Sequence, residues 1–207
     1  MTVRDIRLFG DPVLREACRG VTDFGPGLAR LVSDLMETCR RPGRAGLAAP
    51  QIGVDLRVFC YNVDGEEGYL INPRLETCDG HQDDLEGCLS LPGLYLPTPR
   101  AEHAVATGLD LDGQPVVVEG TGVLARCLQH EVDHLDGHLF LDRLPDNERR
   151  QALRALRSEL GSPGAGRLGG PGRLRGASRV GGAGRLDGAG RLGGRGGTGR
   201  GGSTGVL

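Results

Sequence analysis

Leu28, Leu31, Val32, Leu35, Met36 and Cys39 recur at the i, i+3, i+4, i+7 spacing of one helical face. The pattern predicts a helix that ends near Arg41, because Pro42 has no amide donor and Gly43 follows it. Residues 54–63 alternate in polarity and are rich in β-branched and aromatic types, which predicts a strand. Residues 69–72 are its expected hairpin partner across Asp64-Gly65. A second hairpin is predicted from 103–111 and 114–118, which flank Asp112-Gly113, a dipeptide suited to a type I′ turn. Thr121 stands where it can cap a helix running to about Asp136, with Gly137 placed to end it. A last amphipathic helix is expected from Asp146, at its N-cap, to about Leu160, with Leu153, Leu156 and Leu160 on one side. Helix, antiparallel strands, helix and helix in that order predict an α+β domain, not βαβ repeats, with the strands packed around the helix that follows Thr121.

Composition divides the chain in two. Of its 37 glycines, 20 lie from Gly161 onward, together with 8 arginines and a single acid, Asp187. The last 47 residues therefore carry a net charge of +7 and residues 1–160 a net of −9, which the formal −2 of the whole conceals. All 25 basic residues are arginine; codon bias in a GC-rich genome accounts for that without special chemistry. The expected organisation is a catalytic domain at 1–160 and a low-complexity Gly/Arg-rich tail at 161–207. The tail has too little apolar area to offset its backbone entropy, so disorder is expected there. It reads as an inert extension; a transient tether to ribosomal RNA through RGG at 195–197 and 200–202 is the other reading, weakened by the absence of aromatics.

A 160-residue body is long enough to bury roughly two-thirds of its unfolded surface without covalent staples. The six cysteines are scattered, with no CxxC pair and nothing like the density of a secreted disulfide scaffold. The charged N-terminus is unlike a signal peptide, and no run approaches the roughly 20 apolar residues of a membrane helix. A cytoplasmic, monomeric protein with no membrane partner is expected.

The candidate chemistry lies in HEVDH. His130 and His134 are one helical turn apart and face one point, as two ligands of a metal ion would. Glu131 is placed to reach a water at that ion without binding the ion itself. A solvated helix face could carry the same five residues, but Leu124, Leu128 and Leu135 indicate a buried helix, where charged groups need partners. The third ligand is open at this level. Phe140 stands where a downstream third histidine would come in HExxHxxGxxH, and His138 falls past the helix end. Cys127 shares the histidine stripe but is about 10.5 Å from His134 along the axis, too far for a short side chain with a metal–sulfur bond of about 2.3 Å. Cys88, in LEGCLSLPG, is the better candidate, although a lone cysteine is more often a small buried hydrophobe.

GLAAPQIG (46–53), EGCLS (86–90) and QHEVDHLDG (129–137) together resemble the three signature motifs of peptide deformylases, in order and at plausible spacing. RLFGDPVLR near the start looks like that family's first strand and turn. The resemblance spans residues 1 to about 160. It implies Cys88, His130 and His134 as metal ligands, with Fe²⁺ as the usual ion, although thiolate and imidazole donors also suit Zn²⁺, and Ni²⁺ or Co²⁺ remain alternatives. It implies Glu131 as catalytic acid/base, and the Gln51 side-chain amide and Leu89 N–H as donors to the formyl oxygen. Gly46 would pair through its backbone with the extended peptide. The implied reaction removes formyl, as formate, from the N-terminal formyl-methionine of new polypeptides. Val123, Cys127 and Leu89 are the expected walls of the methionine pocket. Glu86 is expected to support the metal turn, paired with Arg100. One departure is Arg44 in GRAGLAA, where the family pattern has glycine; a changed groove entrance is expected, not lost activity. HEVDH alone would also suit a metallopeptidase, or a catalytically silent, metal-stabilised binding protein. Retention of Glu131 and Gln51 argues against the latter.

Overall fold

The computed structural model describes residues 3–160 and 207. Among these residues there are three α-helices: α1 (Pro26–Cys39), α2 (Gly122–Leu135) and α3 (Asp146–Leu160). Seven strands accompany them: β1 (Gly46–Ala48), β2 (Val58–Val63), β3 (Glu66–Asp79), β4 (Leu85–Cys88), β5 (Leu91–Pro97), β6 (His103–Leu109) and β7 (Pro115–Thr121). Five form an antiparallel sheet in the order β1-β2-β3-β6-β7, and β4-β5 form a separate hairpin. The α+β class is thus the observed one. The Gly/Arg-rich segment expected to be disordered lies outside the described residues, except for its final residue, Leu207, which is buried.

The period of two along each strand decides which helix covers which side. Ala48, Phe59, Leu70, Ala104, Ala106 and Val118 pack with Ala125, Leu128, Val132 and Leu135 of α2. Leu47, Val58, Cys60 and Ile71, one position out of phase with their neighbours, pack with Leu28, Val32, Leu35 and Cys39 of α1. The edge of the sheet formed by β1, β2 and β3 is therefore held between two helices. That explains why VFCYNV in β2 reads as nearly continuous apolar sequence. A third cluster joins Cys88, Leu91 and Leu94 of the β4-β5 hairpin to Phe140, Leu144, Ala152 and Leu156.

The expected elements differ from the observed ones in four places. The strand expected at 54–63 begins at Val58, because Val54 N–H bonds to Ala49 O (3.0 Å) and Arg57 N–H to Arg19 O (2.9 Å). Its partner β3 extends past Asn72 to Asp79, where it pairs with β6 after a bulge. The second hairpin does not close in a type I′ turn. Gly113 alone takes a left-handed conformation there (φ 73°), and Asp110 Oδ1 accepts from Asp112 N–H and Gln114 N–H at 2.9 and 2.8 Å. That carboxylate tightens a three-residue loop with the glycine at its bulge position. The residues expected as a first strand form none; Arg7 N–H bonds to Gln51 O and Phe9 N–H to Ser90 O, and a 3₁₀ turn follows at Pro12–Arg15. Thr121 does occupy the N-cap of α2, but its side chain makes no capping bond.

Candidate metal centre and active site

α2 is unusual in burying polar groups all round: Arg126, Gln129, His130, Glu131, Asp133 and His134 are all buried with its apolar residues. Each therefore needs a partner. His130 and His134 have ring centroids 4.8 Å apart, nearly perpendicular. The β4-β5 hairpin brings Cys88 to them, with its Sγ 3.2 Å from His134 Nε2. One donor atom from each of Cys88, His130 and His134 lies within 4.8 Å of the others. This is the only cluster of three or more such side chains among the described residues suited to hold an ion. His130 Nδ1–H donates to the Glu86 carboxylate at Oε1 (2.6 Å), which turns Nε2 toward the cluster, and that buried Nε2 has no hydrogen-bond partner. An orphaned imidazole nitrogen beside a thiol and a second imidazole fits a divalent cation with three protein donors.

Burial pushes the Cys88 thiol well above its usual range, with the Glu131 and Glu86 carboxylates adding to the rise. Cation binding must therefore expel a proton from Cys88. Burial, with the neighbouring His130, holds His134 well below the usual imidazole value, leaving it neutral and fit to ligate. Glu131 is fully buried, and neither of its carboxylate oxygens has a hydrogen-bond partner. Desolvation, then nearby negative groups including Glu86, push its carboxyl well up.

Gln51 lies in a 3₁₀ turn, Ala49–Ile52, directly after β1. Its Oε1 accepts from Ala48 N–H at 2.8 Å. Only the oxygen can satisfy that amide, so Nε2 must face the cluster, where it lies 3.6 Å from Cys88 Sγ and 3.4 Å from Ser90 Oγ. Leu89 N–H donates to the carbonyl of Leu207 at 2.7 Å. Gly46 lies against α2: a Cβ there would run into Glu131 Oε1 and come within 2.8 Å of Cys127 Sγ.

Glu86 is no surface acid. Arg100 grips it in a bidentate pair (Nη2–Oε1 2.6 Å, Nε–Oε2 2.9 Å), and Arg126 Nη1 reaches Oε2 at 2.8 Å. Burial opposes its charge, but the Arg100 and His130 contacts outweigh burial and hold the carboxyl well below the usual range. Arg100 continues to Asp133 (2.6 Å), which Arg143 also binds. Asp133, Arg126 and Arg143 were not singled out from sequence. The signal available was that charged residues at 126 and 133 share a helix with the core residues Ala125, Leu128, Val132 and Leu135.

Among the residues expected around the methionine pocket, Cys127 lines an apolar cluster with Ala45, Val63 and Leu207, flanked by Tyr61 and Leu124. Leu89 is partly buried and packs against the α1 cluster. Val123 is about one-third exposed, on a surface depression shared with Arg44, Ala45 and Val63. Arg44 turns back to donate to Thr38 O at 2.8 Å. That carbonyl is among the last of α1, so the guanidinium satisfies an open helix end where positive charge is favoured. His138 is exposed, and Phe140 is buried, stacked 6.4 Å from His130.

No helix among the described residues is long and apolar enough to cross a membrane. A family model described as polypeptide deformylase matches residues 3–150. A peptide deformylase of Acidothermus cellulolyticus is 57% identical over 157 residues, covering 76% of this chain and 87% of that one. One from Parafrankia is 54% identical over 163 residues, with the same coverage. The crystal structure of peptide deformylase from Thermus thermophilus aligns with a TM-score of 0.71 at 46% identity, over 76% of this chain and 95% of that one. One from Legionella pneumophila gives 0.71 at 38%, over 78% and 100%. By its sequence and its fold, the chain belongs to the polypeptide deformylase family.

Proposed function

We propose that residues 1–160 form a catalytic domain that removes the formyl group from the N-terminal formyl-methionine of newly made polypeptides, in the cytoplasm and as a monomer. The observation that carries this reading is the meeting, in one buried place, of three convergent metal donors, a carboxylate free of other partners and an amide N–H₂ aimed at the same point. Cys88, His130 and His134 hold a divalent ion, Fe²⁺ in the working enzyme, with Zn²⁺, Ni²⁺ or Co²⁺ as substitutes. When bound, the ion supplies Lewis acidity and makes water a usable nucleophile near neutral pH.

The chain's own groups account for the rest. Glu131 takes the proton from the attacking water and returns it to the leaving nitrogen as the C–N bond breaks, yielding formate and a free amino terminus. Gln51 Nε2 and Leu89 N–H donate to the formyl oxygen as it gains charge. Each such donor contributes about 3–4 kcal/mol where it is fixed in advance, and the Ala48 contact is what fixes Gln51. Gly46 leaves space for the Glu131 carboxylate and presents its backbone to the peptide. Cys127, with Ala45 and Val63, receives the methionine side chain.

Purified protein loaded with Fe²⁺ or Ni²⁺ under anaerobic conditions is expected to release formate from a formyl-methionyl peptide, and to stop when the ion is chelated. No formate with Fe²⁺, Ni²⁺ or Zn²⁺ would sink the deformylase reading. Cleavage of internal peptide bonds instead would favour the metallopeptidase. Metal retention without either activity would favour a silent binding protein. Gly46→Ala is expected to lower kcat/KM by more than about 100-fold while costing only about 1–3 kcal/mol of stability. The new methyl group must push Glu131 aside, so kinetics compared with thermal unfolding checks the point.

A further inference from the structure

Leu207, the last residue of the sequence, is far in sequence from everything it touches. Its side chain is 2% exposed and sits among Ala45, Val63 and Cys127, with Tyr61 and Leu124 at the edge. Its carbonyl oxygen accepts from Leu89 N–H at 2.7 Å. That N–H belongs to the residue after Cys88, and Cys127 lies one helical turn before Glu131 on α2. Side chain and carbonyl thus take, at once, an apolar pocket and a hydrogen-bond donor that the proposed reaction needs.

We propose that Leu207 is an intramolecular competitor of the substrate, filling the methionine pocket with its side chain and holding the Leu89 N–H with its carbonyl. The inference rests on the reading of this pocket and this donor given under Proposed function. Leucine and methionine have nearly the same volume and exchange readily in packed sites, so a pocket that closes on Leu207 is sized for methionine. The two contacts take the apolar pocket and the N–H donor assigned to the methionine side chain and the formyl oxygen, although the Leu207 carbonyl follows its own Cα whereas the formyl group precedes that of methionine through nitrogen. Reach is no obstacle: residues 161–206 could extend up to about 160 Å, against a radius of gyration of roughly 15 Å for a 160-residue domain. Tethering keeps such a ligand at an effective concentration on the order of a millimolar or below. One leucine then suffices to compete with substrate without blocking the enzyme. Because docking is intramolecular, its extent is independent of protein concentration.

The test uses the full 207-residue, metal-loaded chain. Leu207→Asp and Leu207→Ala are expected to lower the apparent KM for a formyl-methionyl peptide about two- to tenfold, more for Asp, with kcat unchanged. Identical KM values in all three proteins would overturn the proposal. Independently of turnover, the ¹³C-methyl resonances of Leu207, assigned by their loss in Leu207→Ala, are expected away from random-coil positions. They should move there when the tripeptide Met-Ala-Ser is added. Random-coil resonances from the start overturn the proposal even if formate is released. Displaced resonances in a protein that releases no formate would leave Leu207 in the pocket and remove the deformylase reading instead. Docking that grows with protein concentration would mean insertion from a second copy, which also overturns the intramolecular form.

Discussion

Replacing Glu131 with glutamine is expected to lower kcat by about 10²–10⁴-fold while leaving the metal stoichiometry unchanged. Loss of a positioned acid/base costs rates of this order. Glutamine keeps the shape of glutamate, so the packing around position 131 is disturbed little. The side chain is fully buried and neither oxygen is engaged elsewhere, so the carboxylate has no structural bond for the substitution to break. Its nearest constraint is the space beside Gly46, which the amide fits as well. The ligands Cys88, His130 and His134 are untouched, and elemental analysis of the variant should find the same ion content as in the parent chain. Comparable turnover in the two proteins would remove Glu131 from the proton transfers.

Glu86→Gln is expected to destabilise the fold by about 3–5 kcal/mol, the usual cost of removing one partner from a buried ion pair. For a domain of this size that lowers Tm by roughly 6–20 °C. The carboxylate is completely buried between the Arg100 and Arg126 guanidinium groups and the His130 ring. Without it two cations face each other in the interior. Metal affinity should fall about 10–100-fold as well, because the Glu86 contact sets the orientation of His130. The double variant Glu86→Gln, Arg100→Met should recover part of the stability but not the affinity, which separates the two roles.

The same group makes a pH prediction. The folded value of Glu86 is held below its unfolded value, near 4.3. Its contribution is therefore fully present above about pH 4.3 and is lost as pH falls toward the lower folded value. The stability gap between the parent chain and Glu86→Gln, followed by denaturant unfolding, should be constant near neutrality and narrow in acid. A gap independent of pH down to pH 3 would mean that Glu86 is not charged in the native protein.

Much of this molecule is written locally. α1 and α3 follow from apolar spacing, and α1 stops before Pro42 and Gly43 because proline cannot continue the ladder. HEVDH places two imidazoles on one turn whatever surrounds it, since helix geometry alone sets their spacing. Less could be read where a contact that periodicity does not encode takes a backbone N–H. Val54 looks as strand-like as Val58, yet its N–H is taken by Ala49, and no periodicity contains that choice. The Asp112-Gly113 turn was overridden by one carboxylate, Asp110, whose two backbone contacts outweigh the preference of the dipeptide.

The HEVDH helix, the glutamine turn and the EGC segment are determined by sequence, each as a local motif with its own chemistry. That Cys88 Sγ comes to 3.2 Å from His134 was decided by the tertiary structure. Its hairpin is anchored through Glu86 to Arg100, Arg126 and His130. Buried charges cannot be left unpaired, so once α2 is buried its Arg126 must find an acid, and Glu86 is the one the fold supplies. The place of Leu207 belongs to the same class. A single leucine carries no pattern to read, and only a completed pocket, built from Ala45, β2 and α2, gives its side chain somewhere to go.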